Sequence, residues 1–187
     1  MYMNRLHVPK KPQVDSLIAK AMSGMTYFLQ ETGHTCGAAC LRMALSKFIP
    51  DVPDEQSLAT ALKTNPQIGT HPEAIIEVAK SYGLQVLHGV DGNLDHLDSL
   101  ILDGYVVMLA ISVDVPHFVI YLGSNGSHSF FHDPYFGEKL SREKKKWISD
   151  VQKYPFVRWR VVASEFKSHD FSGKGLESNK YWMAVKK

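Results

Sequence analysis

Cysteine is nearly absent: only Cys36 and Cys40 occur in 187 residues. They stand four apart, where adjacent turns of a helix hold two sulfurs poorly for a disulfide, and two sulfurs alone do not make a structural zinc site. Charge of one sign is also missing. A formal net charge of +2 gives no case for a nucleic-acid partner. The densest basic cluster, Lys144, Lys145 and Lys146, precedes Trp147 and Ile148 and reads as the solvated face of an amphipathic helix over residues 141–148. Long apolar runs are lacking too. The longest, residues 105–113, is too short to cross a bilayer, which needs about 20 residues, and residues 1–20 lack the apolar core of a secretory signal. No integral membrane segment and a cytoplasmic location are therefore expected. There is no glycine-rich phosphate loop, and His128 and His132, read as lying on a strand, stand about 13 Å apart by strand rise with no third ligand beside them. No metal and no cofactor are expected.

What is present is an ordinary apolar fraction, 44 %, enough for one good core. The chain reads as a single domain over 1–187, with its core at about 25–165, a lead-in over 1–24, and a loop plus terminal strand over 166–187. The first half is helical in period. Helices are predicted over 14–22, from Cys36 to the Pro50 stop, over 53–62, where acidic residues suit the helix dipole, and from 71 to 80, with Pro72 near its start and Gly83 beyond its end. The second half changes period. Strands are predicted over 84–87, 105–113, 117–123 and 128–133, a helix over 94–102, and further strands over 156–162 and 181–185, with a polar loop over 167–179. Residues 124–126 carry the turn of a hairpin. Helices first and an antiparallel sheet afterwards imply an α+β fold.

The segment Gln30-Glu-Thr-Gly-His-Thr-Cys36-Gly-Ala-Ala-Cys40-Leu carries the chemistry. It puts an amide side chain six residues ahead of a cysteine that opens a helix, with Thr35 or His34 at the N-cap. The unpaired N–H groups of a helix N-terminus favour a thiolate, and the thiolate is the nucleophile. The Gln30 amide and the Cys36 N–H are then two donors for an oxyanion. Gly37 lets another chain approach beside the sulfur. Cys40, by contrast, reads as a small core residue.

A nucleophilic cysteine needs a base and a group to orient it. Of nine histidines, His117 is set apart by its place at the start of an apolar strand, just after Pro116. Asp133 ends the following strand, and a hairpin brings the two to the same end of the sheet. His34 is either a pocket residue or a loop residue, and His132 points to the opposite face of its strand and reads as structural. Phe118, Tyr121, Tyr135 and Phe136 read as core or turn packing rather than a substrate groove.

Gln30 with Cys36-Gly-Ala-Ala-Cys40-Leu, Gly69-Thr70 ahead of a helix, His117-Phe-Val-Ile, and Asp133-Pro134 with Gly137 resemble, in order and spacing, the papain-like cysteine peptidases that process bacteriocin leaders after a double glycine. The match runs from about Leu29 to Trp147. The resemblance implies Cys36 as nucleophile, His117 as general base and acid, Asp133 as its orienting group and Gln30 as oxyanion donor. It also implies a papain-like fold with the cysteine helix packed on an antiparallel sheet. Thr35 stands where the family carries an acidic residue. Members commonly front an ABC transporter, and this chain is expected to be a stand-alone member.

A peptidase or amidase acting on a peptide or protein substrate follows first. A transferase of the phytochelatin-synthase-like kind, passing the same acyl group to an amine or thiol, and a non-catalytic peptide binder are the alternatives. Which imidazole nitrogen faces the sulfur is open in the sequence.

Overall fold

The computed structural model describes residues 14–89, 93–113, 115–124, 128–135, 159–162, 172–173, 176–177 and 181–187. The helices are α1 (Val14–Met22), α2 (Cys36–Ser46), α3 (Glu55–Ala61), α4 (Pro72–Ser81) and α5 (Leu94–Leu102). The strands are β1 (Gln85–Gly89), β2 (Val106–Val113), β3 (Val115–Ser124), β4 (His128–His132), β5 (Trp159–Val162), β6 (Ser172–Gly173), β7 (Leu176–Glu177) and β8 (Trp182–Lys186). Six strands form one antiparallel sheet in the order β1-β8-β2-β3-β4-β5. The fold is α+β and papain-like. Among the described residues no helix is long and apolar enough to cross a membrane.

Local chemistry explains three of the helix starts. The side chains of Asp54 and Asn93 cap α3 and α5 by accepting the N–H groups of Ser57 and His96 at 2.7 and 2.9 Å, and Pro72 opens α4 where a missing N–H costs nothing. The central helix is α2. From Cys36 to Leu45 only Arg42 escapes burial, so its sequence shows little polar face, as a helix enclosed on all sides requires. It packs on α3, α4 and β3. Truncating a fully buried side chain there, such as Leu41 or Leu45, costs about 2–5 kcal/mol.

Three differences from the expected elements have a physical cause. The strand predicted over 84–87 runs on to Gly89 because the chain's last strand, β8, pairs along its whole length. There the Trp182 ring lies where a Cβ on residue 89 would stand 3.0 Å from Cζ2, so glycine admits it. Strand β3 starts at Val115 rather than at residue 117, since β2 and β3 close as a hairpin with Val113 paired to Val115. The polar stretch 167–179, read as a loop, contains the two-residue strands β6 and β7 paired with each other. The amphipathic helix over 141–148, residues 125–126 of the predicted turn, residues 156–158 of the predicted strand, Phe136 and Gly137 lie outside the described residues.

Candidate active site

Cys36 is the first residue of α2. Its N–H therefore has no partner within the helix. Thr35 occupies the N-cap but its side chain makes no cap hydrogen bond. Its hydroxyl turns back to Thr32 instead, accepting the Thr32 N–H at 3.2 Å. Cys36 is 8 % exposed as a residue, whereas Cys40, one turn on, is fully enclosed. Both are free of disulfides.

The facing wall comes from the sheet. His117 is the third residue of β3 and Asp133 follows β4 directly. The β3/β4 register shifts between Tyr121 and Gly123, a bulge of the kind that re-aims side chains beside functional sites. His117 Nε2 and Asp133 Oδ1 stand 2.8 Å apart. Asp133 Oδ1 also accepts the Tyr135 N–H at 2.7 Å, so the turn at Pro134 holds the carboxylate in place. With Nε2 committed to Asp133, Nδ1 is the nitrogen left to face Cys36. Burial alone would lower the imidazolium's pKa; hydrogen bonds to Asp133 and Cys36, with their charges, overcome it and raise His117 from 6.5 to about 9. A charged imidazole beside a sulfur is the arrangement that stabilises a thiolate.

Gln30 joins the two walls. Its backbone N–H donates to the Pro134 carbonyl at 2.7 Å, and the Tyr27 hydroxyl donates to the Asp133 carbonyl at 2.5 Å. The Gln30 side-chain Nε2 donates to the Thr32 carbonyl at 2.6 Å. One amide hydrogen is thus spent on its own loop, and Nε2 carries a second. The structure therefore brings Cys36, His117 and Asp133 together and ties Gln30 to them through backbone, with its amide directed first to Thr32.

The Gly69-Thr70 segment packs against the first turn of α2 at Gly37. Gly69 adopts a φ of +68°, and a Cβ on Gly37 would stand 2.7 Å from Thr70 Cβ. Only glycine permits that approach. Of the other residues singled out by sequence, His34 is half-buried with Nδ1 3.2 Å from the Thr32 hydroxyl. His132 is buried, its ring edge-on to Tyr27 at 5.3 Å. Phe118 and Tyr121 lie in the core, while Tyr135 is 40 % exposed. Sequence reasoning missed Glu55. It read as a residue suited to a helix dipole, yet it is 1 % exposed.

A profile of the Peptidase C39 family matches residues 25–150. Among solved structures the chain is similar to a double glycine motif protease from the AMS/PCAT transporter, in complex with the leader peptide: 17 % identity, 87 % of this chain and 92 % of that one covered, TM-score 0.57. It is similar to the peptidase domain of Streptococcus ComA, a bifunctional ABC transporter involved in quorum sensing, at 20 % identity, 86 % and 97 % coverage and TM-score 0.55. A C39-like peptidase from Bacillus anthracis aligns at 12 % identity, 89 % and 96 % coverage and TM-score 0.59. Among curated proteins no relative matches.

Proposed function

Since the chain belongs to the Peptidase C39 family, and so to the cysteine peptidases, we propose that it hydrolyses a peptide bond through a Cys36 thioester, with His117, Asp133 and Gln30 as the supporting groups. The observation that carries this reading is the 2.8 Å contact between His117 Nε2 and Asp133 Oδ1, on an imidazole whose pKa Cys36 also raises. In this mechanism the Cys36 sulfur attacks the carbonyl carbon. The oxyanion receives hydrogen bonds from the Cys36 N–H and the free hydrogen of Gln30 Nε2. His117 Nδ1–H gives its proton to the leaving amine as the C–N bond breaks, leaving a thioester. His117 then takes a proton from water, whose oxygen displaces the sulfur, and the acid product departs. Asp133 holds the tautomer and stabilises the imidazolium throughout.

The substrate in this reading is a peptide with two glycines before the scissile bond, since the AMS/PCAT protease is bound to a leader peptide and is named for that motif. The test is a leader-like peptide carrying Gly-Gly, with products weighed in the presence and absence of a free amine, and the matching Gly-Gly aldehyde as a trap. Cleavage after the second glycine, with a single aldehyde adduct on Cys36, supports hydrolysis. An amine-capped product shifts the assignment to acyl transfer. A folded protein that shows no cleavage and forms no adduct overturns the reading.

A further inference from the structure

Glu55 is the first residue of α3, and a carboxylate there is ordinarily solvated and favoured by the helix dipole. This one is turned inward instead, 1 % exposed. Its Oε1 accepts the backbone N–H of Glu31 at 2.7 Å. The N–H one residue earlier, that of Gln30, donates to Pro134 at 2.7 Å. The two peptide planes flanking the Gln30 Cα are thus fastened to different bodies, one to the turn that holds Asp133 and the other to α3. Fixing both planes fixes the direction in which the Gln30 side chain leaves the backbone.

We propose that Glu55 is a positioning residue of the cysteine site, its buried carboxylate clamping the Glu31 N–H so that the Gln30 amide is held at the place where the oxyanion forms. The inference rests on the peptidase reading. The Thr32 carbonyl accepts the Gln30 amide itself, and Arg42 stacks over Phe28, 4.1 Å from its ring centre, and lies 3.7 Å from the Glu31 side chain; the Glu31 N–H goes to Glu55. Holding the carboxylate there has a cost. Burial pushes Glu55 above the ordinary carboxylate range, and the Thr35 hydroxyl and the Glu31 N–H pull it only partly back. An acid whose folded-state pKa is raised stabilises the fold less once it ionises, so the charge is not retained for stability. Glu55→Leu removes that charge but leaves the Glu31 N–H without its acceptor, so a change in stability is expected as well and the Glu55→Gln variant, which keeps an acceptor, separates the two effects.

The experiment compares Glu55→Leu, Glu55→Gln, Gln30→Ala and the Gln30→Ala/Glu55→Leu double variant on the Gly-Gly peptide, with thermal unfolding and amide hydrogen exchange on the same proteins. Glu55→Leu, assayed well below its own unfolding temperature, should lose about tenfold or more in kcat with KM within about threefold. Glu55→Gln, whose amide oxygen still accepts the Glu31 N–H, should recover most of that loss. The double variant should be no slower than Gln30→Ala alone, since Glu55 acts through Gln30. Additive losses, or a kcat unchanged in Glu55→Leu, overturn the proposal. Independently of turnover, the Glu31 amide should exchange faster in Glu55→Leu. An unchanged Glu31 amide overturns the clamp, while a wild type that cleaves nothing and forms no Cys36 adduct overturns the peptidase reading and leaves the exchange result standing.

Discussion

The first and second turns of α2 carry the same residue type under opposite conditions. Cys36 opens the helix beside His117, with its N–H unpaired within the helix and the Thr35 side chain turned away from capping. Cys40 sits one turn deeper among core residues, and burial pushes its thiol well above its ordinary value, with the charges of Cys36, Asp133 and Glu55 adding to the shift. A helix and a cysteine do not by themselves set up the chemistry proposed for Cys36. The difference lies in the helix end and in a cation delivered from the sheet.

Breaking the comparison at the sulfur gives the largest expected effect. Cys36→Ala should abolish peptide hydrolysis, a loss of roughly 10⁶-fold by analogy with removal of other nucleophiles, and remove the aldehyde adduct. Cys40→Ala should leave kcat within about twofold, while losing about 1–2 kcal/mol of stability for a small buried cavity. Steady-state kinetics and intact-protein mass on both variants check this. Equal losses in the two would mean that the turns are not functionally distinct.

The next effect is on the cation. Asp133→Asn leaves the shape of the site but alters the tautomer that Nε2 adopts, and should lower kcat by up to about 10⁴-fold. NMR titration of His117 should show its pKa falling from about 9, because the Asp133 hydrogen bond and charge are the main supports against burial. An unmoved titration would show that Asp133 does not orient His117.

The two turns also differ in how much of them the sequence discloses. A helix start at Cys36 follows from the run of Ala, Leu and Met after it, and Cys40 as a core position follows from the same run. His117 and Asp133 are visible as a pair because a hairpin joins their strands, and hairpin pairing is local. The bulge between Tyr121 and Gly123 that adjusts their register leaves no mark in composition. Nor does the insertion of β8 between β1 and β2, a pairing between residues about 100 apart in sequence. Glu55 escaped for a related reason. An acidic residue in the first turn of a helix has a sufficient local explanation, so its burial against Glu31 became legible only once the loop was placed on α3.

A pH scan sharpens the contrast further. His117 is raised from 6.5 to about 9, so its contribution to stability is fully present below about pH 6.5 and is lost as pH rises through about 9. The shift amounts to on the order of 3 kcal/mol, using 1.36 kcal/mol for each unit. Unfolding temperature should therefore fall over that window in the wild type and much less in His117→Ala. In the proposed mechanism the leaving amine takes its proton from the imidazolium, so hydrolysis should show an alkaline limb near pH 9. When the protein is treated with iodoacetamide over the same pH range, Cys40, held neutral by burial, should add no second site of alkylation.

The smallest effect tests the packing that surrounds only the first turn. Gly37→Ala has two opposing consequences. Alanine gains up to about 1 kcal/mol of helix propensity over glycine, but its Cβ would stand 2.7 Å from Thr70 Cβ and 2.8 Å from Thr70 Oγ1. Thr70 has little room to yield, since it is buried and its hydroxyl lies 2.7 Å from that of Thr64. Overpacking of this kind costs about 1–3 kcal/mol, so a net loss of about 1 kcal/mol is expected. That corresponds to a fall of about 2–4 °C in unfolding temperature for a chain of this size. Gly37→Ala/Thr70→Gly removes the clashing side chain and should recover part of the loss. No such pair exists at the second turn, where Ala39 and Cys40 already carry Cβ atoms inside the core. A Gly37→Ala protein as stable as the wild type would show that the 69–70 segment moves away from α2 at no cost, and that the first turn is less tightly enclosed than the second.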